Sequence, residues 1–420
     1  MQINATGLTV LIIESDSSFP EGYGAAARLR LLGRGLAEAG AAVTVLLAKP
    51  HEAAEAPLNR DTTGCYSGVR FEYTCGTAVK PRNFLRRRIA GSRGCAVLIW
   101  RILRASRASN PSILLYANSP STCIPVFLVA AILRIPVIVD LCEWGQTLFS
   151  APSLSEVWQK LRIRFADGVI TISDDLSRRA SEALPRDRRG RILQVPVLVD
   201  LAQFSRPRAH VSEEFSGPYI LWSGDVEGYV HLVVWMIRCF ANSGLSSHGL
   251  ILVIAGEAPP ALREELTRVG REAGLPPDSI KLTGHLPHDE LRRLYPGATA
   301  LLAPLEDDQR SRARFPTKIG EYLISRRPVI TTAVGEIPKY FIDGKNAFVA
   351  RPGDTADFTA KMRAAASDEG ASACVGESGY QTAVDSFDYL KHGNRIAQFM
   401  VDLQARTTLS VTGAEAGTET

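Results

Sequence analysis

The residues best suited to chemistry lie in one short run, residues 310–327, which reads RSRARFPTKIGEYLISRR. Lys318 and Glu321 are three apart, so a helix puts them on one face. Pro316 suits a first helical turn. The N–H groups and dipole at that end would favour an anion. Ile319, Tyr322 and Leu323 fall on the opposite, burying side. Arg310, Arg312 and Arg314 stand just ahead. A carboxylate can accept hydrogen bonds from a diol, and the cations can hold phosphate. Taken by spacing alone, Lys318 and Glu321 could equally be a surface ion pair worth ~0.3–0.5 kcal/mol.

Other polar groups recur at the ends of apolar runs. Asp140, Cys142, Glu143 and Trp144 follow one such run, and Glu14 and Asp16 close the first. Either group could meet a substrate, or simply form a polar loop, with a buried Trp in the first case. Gly22, Gly24 and Ala27 fit G-x-G-x-x-A. Those glycines come several residues after the strand, and the second strand ends in Ala48-Lys49-Pro50 without the acidic residue that holds a ribose. A dinucleotide site is therefore not expected, although the loop can still offer N–H groups to an anion. His231, His285 and His288 have no metal-binding spacing. Residues 80–107 hold nine Lys/Arg and no acidic residue. Within them, 96–108 reads as a helix with Arg101, Arg104 and Arg107 along one side and Val97, Leu98, Trp100, Ile102 and Leu103 on the other. That pattern fits either a solvated basic face or contact with an anionic membrane.

These residues need a scaffold. The chain has 420 residues, enough for two domains. Apolar, β-rich runs at 8–14, 43–47, 113–116, 137–140 and 168–172 alternate with helical patterns, the first helix being 24–39 with Gly40 as its stop. Such alternation predicts a doubly wound parallel sheet. The polar, Pro-containing stretch 205–218 reads as a linker. Alternation restarts at 219–222, 250–255, 279–282, 300–303 and 328–331. The expected domains are thus 1–204 and 219–384, with a helix at 385–405 returning to the first and a disordered tail at 406–420. Ligands are expected in the cleft that the two domains face across.

Composition narrows the class. The chain is 45% apolar and 22% charged with net charge +4, which fits a globular protein and gives no reason to expect nucleic-acid binding. Seven cysteines stand singly with no CxxC pair, so reduced thiols in a cytoplasmic setting are expected. The first residues lack a basic leader pattern. The longest apolar stretch, 124–139, is broken by Pro125, Arg134 and Pro136 and is too short to span a bilayer.

Residues 298–354 resemble the C-terminal signature of the family 4 retaining glycosyltransferases of GT-B fold. The matching pieces are ATALLAPL, FPTKIGEYLISRRPVITT and VGEIPKYFIDGKNAFVARPGD, in the family's order. Echoes continue through VITISDDLSRR, VPVLVDLAQF, YILWSGD, VIAGE and IKLTGHLPHDELRRLY. The resemblance implies a GT-B-like α/β enzyme that moves a sugar, hexosyltransferase-like, from a nucleoside-diphosphate sugar to a glycan, lipid-linked or small-molecule acceptor. The anomeric configuration would be retained. It implies that Glu321, the second glutamate of the family's E-x7-E motif, holds the ribose. Gly224, Gly256, Glu257, His285 and Leu286 would surround the donor. Thr317 would sit at the diphosphate, and Gly24 would approach sugar or phosphate. Asp16, Asp140 and Glu143 would lie on the acceptor side.

The sequence departs from the family in three places. Ala313 stands where the first glutamate belongs, Asp225 replaces an arginine, and the lysine expected within 226–230 is missing. Arg314 and Lys318 are the expected substitutes for the diphosphate, with Arg310 and Arg312 in reserve. No cofactor and no essential metal are expected. A lipid-linked acceptor would suit peripheral contact with the inner face of the cell membrane through 80–107. The lost cations leave open a non-catalytic nucleotide-sugar-binding relative or partner subunit, and the fold also admits an epimerase.

Overall fold

The structure is a computed structural model that describes residues 5–22, 24–55, 57–144, 152–204, 215 and 217–415. It divides into two units, Met1–Leu198 with Asp388–Thr420, and Val199–Phe387.

The N-terminal unit is built on an eight-stranded sheet. Its strands are β1 (Thr9–Glu14), β2 (Ala42–Leu47), β3 (Thr63–Tyr66), β4 (Val69–Tyr73), β5 (Pro111–Leu115), β6 (Val137–Leu141), β7 (Gly168–Thr171) and β8 (Ile192–Gln194). They lie in the order β3-β4-β2-β1-β5-β6-β7-β8. All pair in parallel except β3 with β4, so the interior runs are apolar on both faces. Ile12 lies between Val45 and Leu114 in the register, and all three are buried.

The C-terminal unit carries β9 (Tyr219–Ser223), β10 (Ile251–Ala255), β11 (Ile280–Gly284), β12 (Ala300–Ala303), β13 (Val329–Thr332) and β14 (Phe348–Ala350). Their order is β11-β10-β9-β12-β13-β14, all parallel. Chain direction across the sheet therefore reverses between β9 and β12, and between β1 and β5 in the first sheet. Such switch points leave a crevice at the carboxyl ends of the strands.

Boundaries differ from the sequence reading in several places. The first unit ends at Leu198, and most of the expected linker lies outside the described residues. Helix Tyr389–Glu415 runs ten residues into the stretch expected to be a disordered tail, and 416–420 lie outside the described residues. This helix packs on Gly24–Glu38 within the N-terminal unit. Gly35 and Gly393 let the backbones meet: a Cβ on Gly393 would fall 2.2 Å from the Gly35 carbonyl oxygen. Arg34 locks the contact, donating to Tyr389 Oη at 2.9 Å with its guanidinium 4.7 Å from the ring centre. The basic helix is also longer than expected, Phe84–Ala108. Asn83 caps it, accepting from the N–H groups of Leu85 and Arg86.

Candidate functional site

Helix Thr317–Ile324 begins one residue after Pro316, which takes the cap position and not the first turn. Ile319, Tyr322 and Leu323 are buried beneath it. Tyr322 ties the helix to the end of β9: its hydroxyl accepts the Ser223 N–H at 3.0 Å and lies 3.0 Å from Ser223 Oγ. The outward face then carries the chemistry. Lys318 Nζ lies 3.2 Å from Glu321 Oε2 and 3.1 Å from Tyr295 Oη. Tyr295 donates to the same Glu321 oxygen at 3.3 Å. On the other side, His288 Nε2 is 3.7 Å from Glu321 Oε1.

Burial pushes the Glu321 carboxyl up, but the charges of Lys318, His288 and Arg292 outweigh it and hold the group below its ordinary value. Glu321 is therefore a carboxylate at neutral pH, and its side chain is 16% exposed. Burial and the Glu321 charge push the Tyr295 phenol well up, so it remains a donor. The pair that spacing alone left as a possible surface contact is thus part of a four-residue cluster.

Arg314 follows the short helix Gln309–Ala313. It donates to Tyr229 Oη, and its guanidinium lies 5.0 Å from the Tyr229 ring centre. Arg310 lies 5.3 Å from that ring, so Tyr229 carries two cations. Arg314 Nε is buried and makes no hydrogen bond. Arg312 instead pairs with Asp307 at 2.7 Å. Ala313 is fully buried, so that position offers no polar group to a ligand. Asp225 turns back on its own loop and accepts the Gly228 N–H at 3.0 Å.

Gly224, Gly256 and Gly284 close the carboxyl ends of β9, β10 and β11. Gly256 donates to Gly284 at 3.0 Å, and a Cβ on Gly256 would meet the Gly224 oxygen at 2.1 Å. Only glycine lets these backbones approach so closely. Glu257 is exposed and accepts the His285 N–H at 3.3 Å, linking the two expected base-side loops. Leu286 is half-buried beside them, and Thr317 is half-buried at the start of its helix.

The N-terminal candidates separate into three kinds. Asp140 is fully withdrawn: Arg28 Nε and Nη2 donate to its two oxygens at 3.0 and 3.1 Å, and Cys142 Sγ lies 3.1 Å away. Its side chain is 0% exposed, so it holds the fold and is closed to a substrate, against the acceptor role expected from its position. Glu143 is half-buried beside buried Trp144, over which the Arg179 guanidinium lies at 5.0 Å. Asp16 is exposed at the switch point and accepts from the N–H groups of Asn118 and Ser119 at 2.7 and 3.2 Å. Glu14 sits behind it. Burial, with the Asp16 charge, pushes the Glu14 carboxyl up to about 7, although the N–H groups of Asp16, Ser17 and Ser15 pull the other way. Gly24 opens the first helix, and Tyr23 lies outside the described residues.

Sequence reasoning missed Tyr295, Tyr229 and the place of His288 beside Glu321. One signal was legible: Tyr229 falls in the window where the resembling family carries its lysine. Among the described residues, no group of three or more His, Cys, Asp or Glu side chains is arranged to hold a metal.

Two parallel-sheet units with a cation-lined carboxylate at the switch-point end of the second match known proteins. A family model described as glycosyl transferases group 1 matches residues 217–368. A second, glycosyl transferase 4-like domain, matches residues 23–197. No curated protein sequence matches. Among solved structures, Anabaena Alr3699/HepE in complex with UDP and glucose is similar with TM-score 0.67 and 15% identity, over 94% of this chain and 99% of that one. Sucrose-phosphate synthase of Thermosynechococcus elongatus gives TM-score 0.65 and 17% identity, over 95% and 100%. WaaG, a glycosyltransferase involved in lipopolysaccharide biosynthesis, gives 0.61 and 14%, over 93% and 99%. The chain belongs to the family 4 glycosyltransferases of GT-B fold. It is a glycosyltransferase.

Proposed function

We propose that this glycosyltransferase takes its sugar from a nucleoside-diphosphate sugar and retains the anomeric configuration. The observation that carries the reading is the Glu321 cluster. A charged carboxylate with one oxygen beyond hydrogen-bond length of its neighbour suits the two hydroxyls of a ribose. Lys318 has three donors and uses two of them on Tyr295 and Glu321, which leaves one for a phosphate oxygen. Arg314 and the N–H groups opening helix Thr317–Ile324 would share the same diphosphate. The UDP and glucose held by Anabaena HepE support a uridine nucleotide as the first donor to try.

In the reaction, the bond from the anomeric carbon to the diphosphate oxygen breaks as the acceptor hydroxyl bonds to that carbon on the same face. The electron pair leaves with the diphosphate, and a phosphate oxygen takes the hydroxyl proton. Negative charge grows on the leaving group, where fixed cations stabilise it most. Arg314 and Lys318 do this work, so no metal and no protein base take part. The acceptor is a glycan or a lipid-linked sugar, a reading that the role of WaaG supports. The basic segment 80–107 would bring the enzyme to an anionic lipid surface.

The test is a panel of UDP-, GDP-, ADP- and dTDP-sugars incubated with the protein in EDTA and followed by NMR. Nucleotide release with a product anomer matching the donor is expected. An inverted anomer or a strict metal requirement would overturn the mechanism. Tight binding without turnover would make the chain the non-catalytic relative that buried Ala313 favours.

A further inference from the structure

Apolar surface is unevenly distributed on the described residues. Of the fifteen large hydrophobic side chains left exposed, eleven lie on three helices of the N-terminal unit. Those helices are Phe84–Ala108, Pro120–Leu133 and Pro152–Phe165. The second packs beside both of the others, and the rings of Phe127 and Phe165 meet at 6.1 Å. On each helix the exposed side chains form a stripe. Ile124, Leu128 and Ile132 are spaced by four, and Leu154, Val157, Leu161 and Phe165 by three, four and four. Leu85, Ile89 and Trp100 share a face of the first helix. Ile132 is 79% exposed and Leu128 61%.

Helix Pro152–Phe165 shows the point most clearly, because four large apolar side chains stay outside while three polar ones enter the interior. It buries Ser155, Gln159 and Arg162 beside Trp158 and Ile163, and Arg162 donates to the Ala117 carbonyl at 2.7 Å. It exposes its leucines and Phe165. A helix facing only water would carry polar residues in place of that exposed apolar stripe. The Pro120–Leu133 helix is apolar on its exposed and buried sides alike.

Charge identifies the occupant. The three helices hold ten Lys/Arg, counted as seven on the first and three on the third, against the single acidic residue Glu156. Arg86, Arg87 and Arg88 are exposed beside Phe84 and Leu85. Arg88 lies 5.6 Å from the Phe84 ring centre, and Arg104 lies 5.5 Å from that of Trp100. Not every cation is available: Arg162 is buried, Lys160 pairs with Glu156 at 2.9 Å and Arg101 with Glu72 at 2.8 Å, so the free charge is concentrated on the first helix. A second copy docked on this face would oppose two arginine clusters. At fourteen residues, or about 21 Å, the central helix is too short to cross a bilayer, but it can lie along one.

We propose that these three helices form one interfacial surface that inserts its apolar stripes into an anionic bilayer. The arginines flank the stripes at headgroup depth, with their stems on the apolar surface. This deepens the membrane reading given above, which rested on charge attraction by residues 80–107 alone. It is independent of the donor chemistry.

The test is flotation of the full chain with vesicles of phosphatidylcholine and phosphatidylglycerol. The apolar variant Ile124→Ser, Leu128→Ser, Ile132→Ser changes only exposed side chains. Each should lower the vesicle partition coefficient by about tenfold. The charge variant Arg86→Ser, Arg87→Ser, Arg88→Ser should lose binding that about 0.5 M salt also removes from the parent. Bromolipids should quench Trp100 fluorescence in the parent, judged against Trp100→Phe. Nucleotide release in solution should be equal in parent and apolar variant, which separates a lost surface from a lost fold. If the apolar variant floats like the parent while the charge variant does not, insertion is wrong and charge docking alone survives. A parent that ignores anionic vesicles, or that forms a dimer abolished by the apolar variant, overturns both.

Discussion

Asp140 in the N-terminal unit and Glu321 in the C-terminal unit are both carboxylates withdrawn beside a cation. Asp140 is closed: both oxygens receive Arg28, whose remaining donors go to the carbonyls of Pro196 and Val195. Burial opposes the Arg28 charge, yet Asp140 keeps that charge firmly in place. Glu321 is open: one oxygen receives Lys318 and Tyr295, while the other faces His288 at 3.7 Å. A closed pair ties distant segments of one unit together. An open pair retains capacity for a ligand.

The largest effect should come from breaking the closed pair. Asp140→Asn leaves the Arg28 guanidinium buried and uncompensated, at a cost of ~3–5 kcal/mol. Thermal unfolding should show it as a large drop in Tm. Glu321→Gln should unfold close to the parent, since its partners Lys318 and His288 both reach solvent. Its affinity for uridine should instead fall roughly ten- to hundredfold. Equal stability of parent and Asp140→Asn would erase the distinction.

Glu14 sharpens the comparison because it is buried without a cation. One oxygen accepts the N–H groups of Ser15 and Ser17 at 2.8 Å, and that of Asp16 as well, while Oε2 is buried without a partner. Its carboxyl titrates at about 7 in the fold against an ordinary 4.5. Between those values the native state holds a proton that the unfolded chain has released. Stability from this group is thus full below pH 4.5 and lost as pH rises through 7, by roughly 3 kcal/mol. Glu14→Gln should flatten that part of the stability curve. The same slope in both proteins would mean that Glu14 is ionised in the fold throughout.

These contrasts show what a linear sequence reveals. The parallel strands were legible because burial on both faces leaves uninterrupted apolar runs, as in β1 and β10. Lys318 and Glu321 were legible as neighbours because helical spacing is local. Arg28 was not legible as the partner of Asp140, since it lies 112 positions earlier and helical spacing does not link the two. The same holds for Tyr229, which is 85 positions from Arg314. The Pro152–Phe165 helix misleads in another way. Its apolar stripe has the period of a core-facing helix, and only the fold shows that the stripe points outward.

The smallest effect, and the most discriminating, concerns Tyr229. It stands in the loop that lost the family's lysine, and it touches Arg314, proposed to replace that charge, and Arg310, held in reserve. If it positions them, Tyr229→Phe keeps the ring and loses only the hydroxyl contact to Arg314, ~1 kcal/mol or about fivefold in diphosphate affinity. Tyr229→Ala also removes the ring beneath both cations and should cost a further ~0.5–1 kcal/mol for each. Arg314→Ala and Lys318→Ala should each lose ~1.5–3 kcal/mol toward the diphosphate. None of the four should change affinity for the bare nucleoside, which calorimetry with uridine and UDP reads directly. Because Tyr229 would act through Arg314, its effect should nearly vanish in the Arg314→Ala background. Full additivity there would make Tyr229 a separate contact. If Arg314→Ala and Lys318→Ala both bind UDP like the parent, the basic run is only a solvated surface, and the diphosphate is held elsewhere.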